Sequence, residues 1–310
     1  MAINQKRVLM VLYYYQPYVS GVSVCAKRVA EGLVKKGYQV DILTSRHEWD
    51  LPREEIINGV RVMRRKVLLK INKGVIMPFF WLDIIRLARK YDYINPHLPL
   101  AESGISSLFI PKRKIVTTYQ CDINLGDGTV TRVIAWLSMA LMKLQLDRSR
   151  AVIPSSLDYF KSSKMKAFLP KAVPIYPTVV TDDFHITPSK EFFKSLGVSP
   201  NEKRIGFVGR IVYEKGIDYL LRSIPELDKK LDAYRIIIAG DYSKVAGGST
   251  KDQLDEFLEK YPDKILFTGF IDDSDLNAFY SGLDVLVLPS IDPLEAYGMV
   301  QVEAMLCGTP

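Results

Sequence analysis

Two glutamates near the end of the chain flank a short segment of a type that binds anions. They are Glu295 and Glu303, and seven residues separate them. Between them, a helix is predicted to begin after Gly298, with Met299 and Val300 in its first turn. The first amides of a helix have no partner within it, and they favour an anion such as a phosphate. Because a carboxylate would repel that phosphate, we interpret both glutamates as acceptors for hydroxyl groups on either side of it.

The surroundings of Glu303 bear on whether it binds a ligand or lies on an ordinary surface. The residues three and four positions away on its helical face are all apolar: Met299, Val300, Leu306 and Cys307. A carboxylate among apolar residues costs free energy unless something pairs with it. In the alternative, Glu295 only stabilises the helix dipole and Glu303 lies on a solvated face. The sequence leaves both interpretations open.

A strand and a helix must hold this segment in place. The strand is predicted over Asp284–Leu288, which is apolar and rich in β-branched residues, and the helix over Met299–Cys307, closed by Gly308. The segment between them is then a loop at the carboxyl end of a strand, where open α/β sheets bind ligands.

Two cations follow an earlier strand. Ile205–Val208 is predicted to be that strand, and Arg210 comes shortly after it. Lys215 and Gly216 precede a predicted helix over residues 217–224. Arginine can bind a phosphate through two hydrogen bonds and lysine supplies a compact charge, so the pair suits a pyrophosphate. The alternative is a solvated basic loop.

The glutamate pair, followed by Ala304-Met305 and Gly308-Thr309-Pro310, resembles the signature of glycosyltransferase family 4. Members of that family are retaining enzymes of the GT-B fold. The resemblance therefore implies an α/β fold of two Rossmann-like, doubly wound parallel-sheet domains. We expect an acceptor-side domain over residues 1–184 and a nucleotide-sugar-binding domain over 185–310. The second domain shows four predicted strands where the family has more elements, so the chain is expected to be truncated and this domain incomplete.

The resemblance also implies a reaction. It is the transfer of a sugar from a UDP- or GDP-sugar to a hydroxyl acceptor, in glycolipid or cell-surface polysaccharide synthesis. The donor diphosphate would be bound by Arg210, Lys215 and the amides of residues 298–300. Glu303 would bind the ribose diol, and Glu295 would bind the donor sugar. Asp-x-Asp, a metal-binding motif, does not occur where a metal site would be needed. We therefore expect no metal ion and no other cofactor.

Three residues of the first half are further candidates. The family has a glycine-rich turn near the donor diphosphate, and Ser20-Gly21 occupies that place. It usually has a histidine near the donor sugar, where this chain has Gln120. Glutamine can bind a hydroxyl group but cannot carry a proton. His97 follows another predicted strand and is a candidate ligand contact, although a lone histidine is more often structural.

Composition and charge restrict the partners. The chain has 310 residues, a formal charge of +7 and three cysteines without metal-ligand spacing, which suits a reducing compartment. Neither a signal peptide nor a nucleic-acid-binding module is predicted, and the most apolar run is far shorter than the ~20 residues of a membrane span. We expect a cytoplasmic protein.

Two segments suggest a peripheral position on the inner face of the cytoplasmic membrane, where a lipid-linked acceptor would lie. Basic and bulky apolar residues alternate over residues 61–81, and an amphipathic helix is predicted over Val130–Leu146. In the alternative, residues 61–81 form an edge strand and a helix packed on the core.

Two other functions are compatible with the same residues. A non-catalytic donor-binding fragment is favoured by the early end of the chain and by Gln120. A sugar-nucleotide epimerase of the same architecture would turn over its donor without any acceptor.

Overall fold

The computed structural model describes residues 5–71, 74–123, 128–177, 179, 181–240, 251–291 and 295–310, without the side chains of 71, 130 and 251–253. Residues 292–294, in the loop that contains Glu295, thus lie outside the described residues. The chain divides into two compact units, Met1–Thr178 (unit 1) and Val179–Pro310 (unit 2). This division falls shortly before Phe184, where the sequence analysis places the domain boundary.

Unit 1 alternates strands and helices, as predicted. Its strands are β1 (Arg7–Val11), β2 (Gln39–Arg46), β3 (Glu54–Ile57), β4 (Val60–Lys66), β5 (Leu69–Ile71), β6 (Gly74–Ile76), β7 (Tyr93–Leu98), β8 (Val116–Tyr119) and β9 (Ala151–Pro154). Its helices are α1 (Gly21–Lys35), α2 (Phe80–Ala88), α3 (Ala101–Ser107), α4 (Thr129–Arg148) and α5 (Leu157–Ser162).

The sheet of unit 1 has the strand order of a dinucleotide-binding fold. Within the described residues the order is β3-β4-β2-β1-β7-β8-β9, and only β3 runs antiparallel to its neighbour. Numbered along the chain, the six parallel strands are arranged 3-2-1-4-5-6. In this topology the order reverses between β1 and β7, and ligands bind at the carboxyl ends of the strands there.

The core of unit 1 covers both faces of this sheet because side chains alternate along β1. Val8 and Met10 lie on one face, in a cluster with Ala26 and Ala30 of α1. Leu9 and Val11 lie on the other face, in a cluster that includes residues 80–88 of α2. The predicted core-packed helix after residue 79 is therefore confirmed.

Unit 2 begins the same strand order again. Its helices are α6 (Lys190–Ser195), α7 (Ile217–Arg222), α8 (Ile224–Leu227), α9 (Lys251–Lys260), α10 (Asp273–Ser281) and α11 (Met299–Leu306). Its strands are β10 (Lys203–Val208), β11 (Tyr234–Ala239), β12 (Ile265–Gly269) and β13 (Val285–Leu286). They form a parallel sheet of order β12-β11-β10-β13 in the described residues, which is 3-2-1-4 in chain order. The reversal lies between β10 and β13.

Two predicted elements of unit 2 differ from the structure. The helix predicted over 217–224 is interrupted at Ser223 and continues as the short α8, because Pro225 has no amide to donate to the preceding turn. The strand predicted over Asp284–Leu288 is paired as a strand only at Val285 and Leu286, although the amide of Val287 still donates to the carbonyl of Gly206 (2.8 Å).

Candidate active site

The predicted phosphate-binding residues of unit 2 lie at the point where its strand order reverses. Arg210 follows β10, and the loop of Ser290 follows β13. The two loops are in direct contact, since the amide of Ile291 donates to the carbonyl of Glu214 (3.2 Å). A Cβ atom on Gly216 would lie 2.2 Å from the carbonyl oxygen of Pro289, so only glycine allows this approach. The sequence analysis identified the residues of both loops but not their contact.

Helix α11 begins where the sequence predicts. Gly298 is its N-cap residue, with a φ of +75° that favours glycine, and Met299 and Val300 form the start of the helix. As a glycine, this N-cap residue makes no side-chain capping hydrogen bond of its own. The positive end of the helix dipole therefore lies beside the loops that carry Arg210 and Lys215.

Lys215 and Glu295 contact each other. The ammonium group of Lys215 donates to Glu295, and the hydroxyl of Ser290 donates to the same carboxylate oxygen (3.2 Å). Both charged side chains are largely buried. The sequence analysis assigned one residue to the diphosphate and the other to the sugar, and the structure shows that they form an ion pair with each other.

Arg210 is the more accessible cation. Its guanidinium donates to the Glu214 carboxylate (3.2 Å), four positions further along the chain, and remains partly exposed. The four-residue spacing of Arg210 and Glu214 is a signal for this pair that the sequence alone contains. An exposed pair of this kind contributes at most about 1 kcal/mol to stability, so a diphosphate can compete with Glu214 for the guanidinium.

Glu303 is buried, with 7% of its surface exposed. The hydroxyl of Tyr280, on α10, donates to its carboxylate (3.0 Å). The interpretation that places Glu303 on a solvated face is therefore wrong. Its partner could not be predicted, because Tyr280 belongs to another helix and no local spacing relates the two residues.

Gly21 lies at the first position of α1, which follows β1 at the reversal point of unit 1. Ser20 and Ser23 cap this end reciprocally: the Ser23 amide donates to the Ser20 hydroxyl (3.2 Å), and the Ser20 amide donates to the Ser23 hydroxyl (2.8 Å). A diphosphate role for Gly21 stays a prediction.

His97 lies inside β7 rather than after a strand, which corrects the sequence analysis. Its ring is buried, and the burial lowers its pKa to about 4. It is therefore neutral at pH 7, with one donor and one acceptor nitrogen. Nε2 lies 2.9 Å from the Asn95 side-chain oxygen, and Nδ1 lies 3.3 Å from the Gln120 side-chain nitrogen. These contacts occupy both ring nitrogens, and a ligand contact by His97 stays a prediction.

Gln120 directly follows β8 and is also buried. The hydroxyl of Ser155 donates to its backbone oxygen (2.8 Å) and to its side-chain oxygen (3.3 Å). Since β7 and β8 are parallel neighbours, the prediction that their carboxyl ends share one edge is confirmed. Gln120 is thus held by Ser155 on one side and by His97 on the other.

The arginines among residues 61–81 are paired within unit 1. Arg61 contacts Glu54 (2.5 Å), Arg64 contacts Glu55 (2.5 Å), and Arg65 contacts Asp83 (3.0 Å). Arg64 is also buried. They therefore do not form a membrane-facing row. The strand that carries them is β4, which lies next to the edge strand β3. Edge strands do occur in this segment, because β5 and β6 form a two-stranded sheet.

Helix α4 includes the predicted segment Val130–Leu146 and exposes part of its apolar surface. Val133, Trp136 and Leu137 are exposed, whereas Met142 and Leu146 are in the core. In the described part of the chain, no helix combines the length and apolar character needed to cross a bilayer. The described residues also contain no cluster of three or more metal-ligating side chains. The absence of a metal requirement stays a prediction.

Two family models match the chain, one in each unit. The model described as Glycosyltransferase Family 4 matches residues 19–157, and the model described as Glycosyl transferases group 1 matches residues 188–310. Together they span most of the sequence. This chain belongs to glycosyltransferase family 4. It is a transferase, and its two parallel-sheet units are those of the GT-B fold.

Relatives of this family 4 glycosyltransferase support the assignment over the whole chain. An uncharacterized glycosyltransferase of Methanocaldococcus jannaschii is 29% identical over 98% of this chain and 79% of its own length. Among solved structures, a sucrose-phosphate synthase of Thermosynechococcus elongatus has a TM-score of 0.74 at 20% identity, covering 99% of this chain and 80% of that one. The Anabaena protein HepE, solved with UDP-glucose, has a TM-score of 0.69 at 18% identity, covering 98% and 79%.

Proposed function

We propose that this family 4 glycosyltransferase transfers a sugar, with retention, from a UDP- or GDP-sugar to a hydroxyl acceptor. The observation that carries the proposal is in unit 2. Arg210 and Lys215 follow β10, and α11 follows β13, the two neighbouring strands between which the strand order reverses. The buried carboxylate of Glu303 lies further along α11. Two cations and a helix N-terminus suit a diphosphate, and the two glutamates suit the hydroxyl groups at its ends.

The ion pair between Lys215 and Glu295 suggests how the donor binds. The donor diphosphate replaces Glu295 as the partner of Lys215, and the Glu295 carboxylate then accepts a hydrogen bond from a hydroxyl group of the donor sugar. The Glu303 carboxylate accepts hydrogen bonds from the ribose diol. As the sugar leaves, negative charge grows on the diphosphate, where Arg210, Lys215 and the α11 amides stabilise it. The acceptor hydroxyl attacks the anomeric carbon on the face that the diphosphate leaves, as the bond to the diphosphate breaks. Its proton passes to the leaving phosphate oxygen, and the configuration is retained.

No divalent metal ion is required in this proposal, because the two cations and the helix dipole supply the positive charge at the diphosphate. Addition of a chelator should therefore leave turnover unchanged. For Gln120 the proposal keeps a hydrogen-bonding role without proton transfer.

We further propose a lipid-linked acceptor in glycolipid or cell-surface polysaccharide synthesis, at the inner face of the cytoplasmic membrane. The exposed apolar residues of α4 and the formal charge of +7 support contact with an anionic bilayer. The three widely spaced cysteines, Cys25, Cys121 and Cys307, accord with a reducing compartment such as the cytoplasm.

Donor binding by glutamate variants tests the proposal. Calorimetric titration with UDP and GDP, then with UDP-glucose and GDP-mannose, identifies the nucleotide. With that nucleotide, Glu303→Ala should weaken the binding of the bare nucleoside diphosphate and of the sugar donor alike. Glu295→Ala should weaken the binding of the sugar donor and leave the affinity for the bare nucleoside diphosphate nearly unchanged. A lost hydrogen bond to a charged group costs about 1.5–3 kcal/mol, or roughly ten- to a hundredfold in affinity.

A matched control is Glu191→Ala, which removes an exposed carboxylate of unit 2. This variant should bind the nucleoside diphosphate and the sugar donor as tightly as the unchanged chain does. Equal losses for both ligands in both variants would refute the separate roles of Glu295 and Glu303. Turnover of donor without acceptor would indicate an epimerase, and binding without any turnover a donor-binding protein.

A further inference from the structure

Tyr280 holds the carboxylate that the proposed function assigns to the donor ribose. Its hydroxyl, on α10, donates to Oε2 of Glu303 on α11 (3.0 Å). Tyr280 is fully buried and Glu303 is 7% exposed, so little water competes for this hydrogen bond. A buried carboxylate costs free energy unless hydrogen bonds replace its hydration. The Tyr280 hydroxyl supplies one of those hydrogen bonds.

The hydrogen bond also restricts how the carboxylate can turn. The last torsion of a glutamate side chain is broad and roughly two-fold, so a carboxylate without fixed partners rotates. A donor on a neighbouring helix selects one orientation. A carboxylate can accept about four hydrogen bonds, and Tyr280 supplies one of them. The Glu303 carboxylate can therefore accept from Tyr280 and from both hydroxyl groups of a ribose diol at the same time.

Tyr280 is itself held on two sides. Its ring packs against the ring of Phe184, with a centroid distance of 6.2 Å. Its backbone oxygen accepts from the hydroxyl of Thr309 (2.7 Å), which is also buried. The amide of Thr309 donates to the carbonyl of Ala304, the residue after Glu303 (3.0 Å). Thr309 therefore links the end of α10 to α11 and fixes the position of Tyr280 relative to Glu303.

We infer that Tyr280 is a positioning residue for the donor: its hydroxyl orients the Glu303 carboxylate toward the 2′- and 3′-hydroxyl groups of the ribose. The inference rests on the proposed function, in which Glu303 binds that diol, and it names the residue that orients Glu303. Tyr280 acts through the carboxylate and does not touch the nucleotide. Orientation of the carboxylate before binding lowers the cost of ordering it, which increases the affinity for a ribonucleotide.

Nucleotides with and without the ribose hydroxyl groups separate this role from a structural one. The probes are UDP or GDP, whichever binds, and its 2′,3′-dideoxy analogue, measured by calorimetric titration of the full chain. Tyr280→Phe should weaken the binding of the ribonucleotide about two- to tenfold, as the loss of one hydrogen bond does. It should leave the affinity for the dideoxy analogue unchanged. A hydrogen bond that only stabilises the fold would affect both probes alike.

A double variant tests whether the tyrosine acts through the glutamate. Glu303→Ala combined with Tyr280→Phe should bind the ribonucleotide no more weakly than Glu303→Ala alone, because the hydroxyl then has no carboxylate to orient. Thr309→Val provides a second route that keeps the Tyr280 side chain. It removes the hydroxyl that holds the Tyr280 backbone and should weaken the ribonucleotide while sparing the dideoxy analogue. If Tyr280→Phe does not fold, the titrations of Thr309→Val decide.

The matched control is Tyr234→Phe, another buried tyrosine of unit 2. Its hydroxyl also donates to a carboxylate, that of Asp228 (2.5 Å). Tyr234 is the first residue of β11, so it lies at the end of the strand opposite to the carboxyl edge. The variant should bind both probes as the unchanged chain does.

Three results would overturn the inference. Tyr280→Phe binds the ribonucleotide as tightly as the unchanged chain, or it loses affinity for both probes equally, or its loss adds to that of Glu303→Ala in the double variant. With any of these, a loss in Glu303→Ala that is confined to the ribonucleotide leaves the proposed ribose contact standing. If Glu303→Ala binds both probes as the unchanged chain does, the ribose contact itself is refuted, and the inference fails with it.

Discussion

The ion pair between Lys215 and Glu295 shows what single residues can and cannot reveal. Each was identified from its type and its neighbours along the chain, as one expects for residues in loops beside predicted strands. Their contact depends on the pairing of β10 with β13, which lie far apart in the sequence. Partly buried ion pairs contribute little net stability, which is compatible with the ligand-binding roles proposed for the two residues.

His97 should make unit 1 less stable as the pH falls. Its pKa of about 4 in the folded chain lies below the value of about 6.5 for an unfolded histidine. Between these values only the unfolded chain takes up the proton, so acid favours unfolding. Protonation of this histidine leaves the free energy of unfolding unchanged above about pH 6.5. It lowers that free energy by roughly 3 kcal/mol near pH 4. His97→Gln should remove this part of the acid sensitivity.

Urea unfolding followed by tryptophan fluorescence measures the effect in unit 1 alone, because Trp49, Trp81 and Trp136 all belong to it. Burial also lowers the pKa of His47, so some acid sensitivity should remain in the variant. His185→Gln, at an exposed position of unit 2, is the control. The assignment fails if the stability of His97→Gln depends on pH as steeply as that of the unchanged chain.

The strands and helices follow closely from the sequence where they are buried. Continuous apolar runs predicted β1, β10 and β11, since parallel strands are covered on both faces. The antiparallel edge strand β3 could not be predicted in this way, because its pairing depends on β4 and its own residues are partly exposed. Pro225, by contrast, was a readable signal for the break between α7 and α8.

The packing of α3 on α4 depends on one glycine. A Cβ atom on Gly104 would lie 2.2 Å from the backbone oxygen of Leu141, so Gly104→Ala must push the two helices apart. Overpacking of this kind costs about 1–3 kcal/mol. Tryptophan fluorescence during urea unfolding should show that loss in unit 1.

The control is Gly32→Ala in α1, where an added Cβ atom meets nothing within 4 Å. It should stabilise unit 1 by about 0.5–1 kcal/mol, because alanine favours a helix more than glycine does. If both alanine variants shift the stability in the same direction, the close approach of α3 and α4 is not what requires glycine.

In the chain as a whole, one strand order occurs twice, and each reversal point carries candidate ligand contacts. In unit 2 these are cations and a helix N-terminus. In unit 1 they are neutral polar residues, His97 and Gln120. The difference in charge accords with the diphosphate site proposed for unit 2.

Membrane contact through α4 is the prediction that concerns the whole molecule. The chain should sediment with vesicles of phosphatidylglycerol and phosphatidylcholine, but not with phosphatidylcholine alone. Binding should weaken as salt shortens the Debye length from about 10 Å at 0.1 M to about 3 Å at 1 M.

Two variants of α4 test the contact. Trp136→Ala should reduce vesicle binding by removing apolar surface. Arg132→Ala should reduce it about fivefold, since a basic residue near an anionic surface contributes about 1 kcal/mol. Trp49→Ala is the control, because Trp49 is an exposed tryptophan of unit 1 that lies outside α4. Salt-independent sedimentation, or equal losses in the two tryptophan variants, would leave α4 with a structural role only.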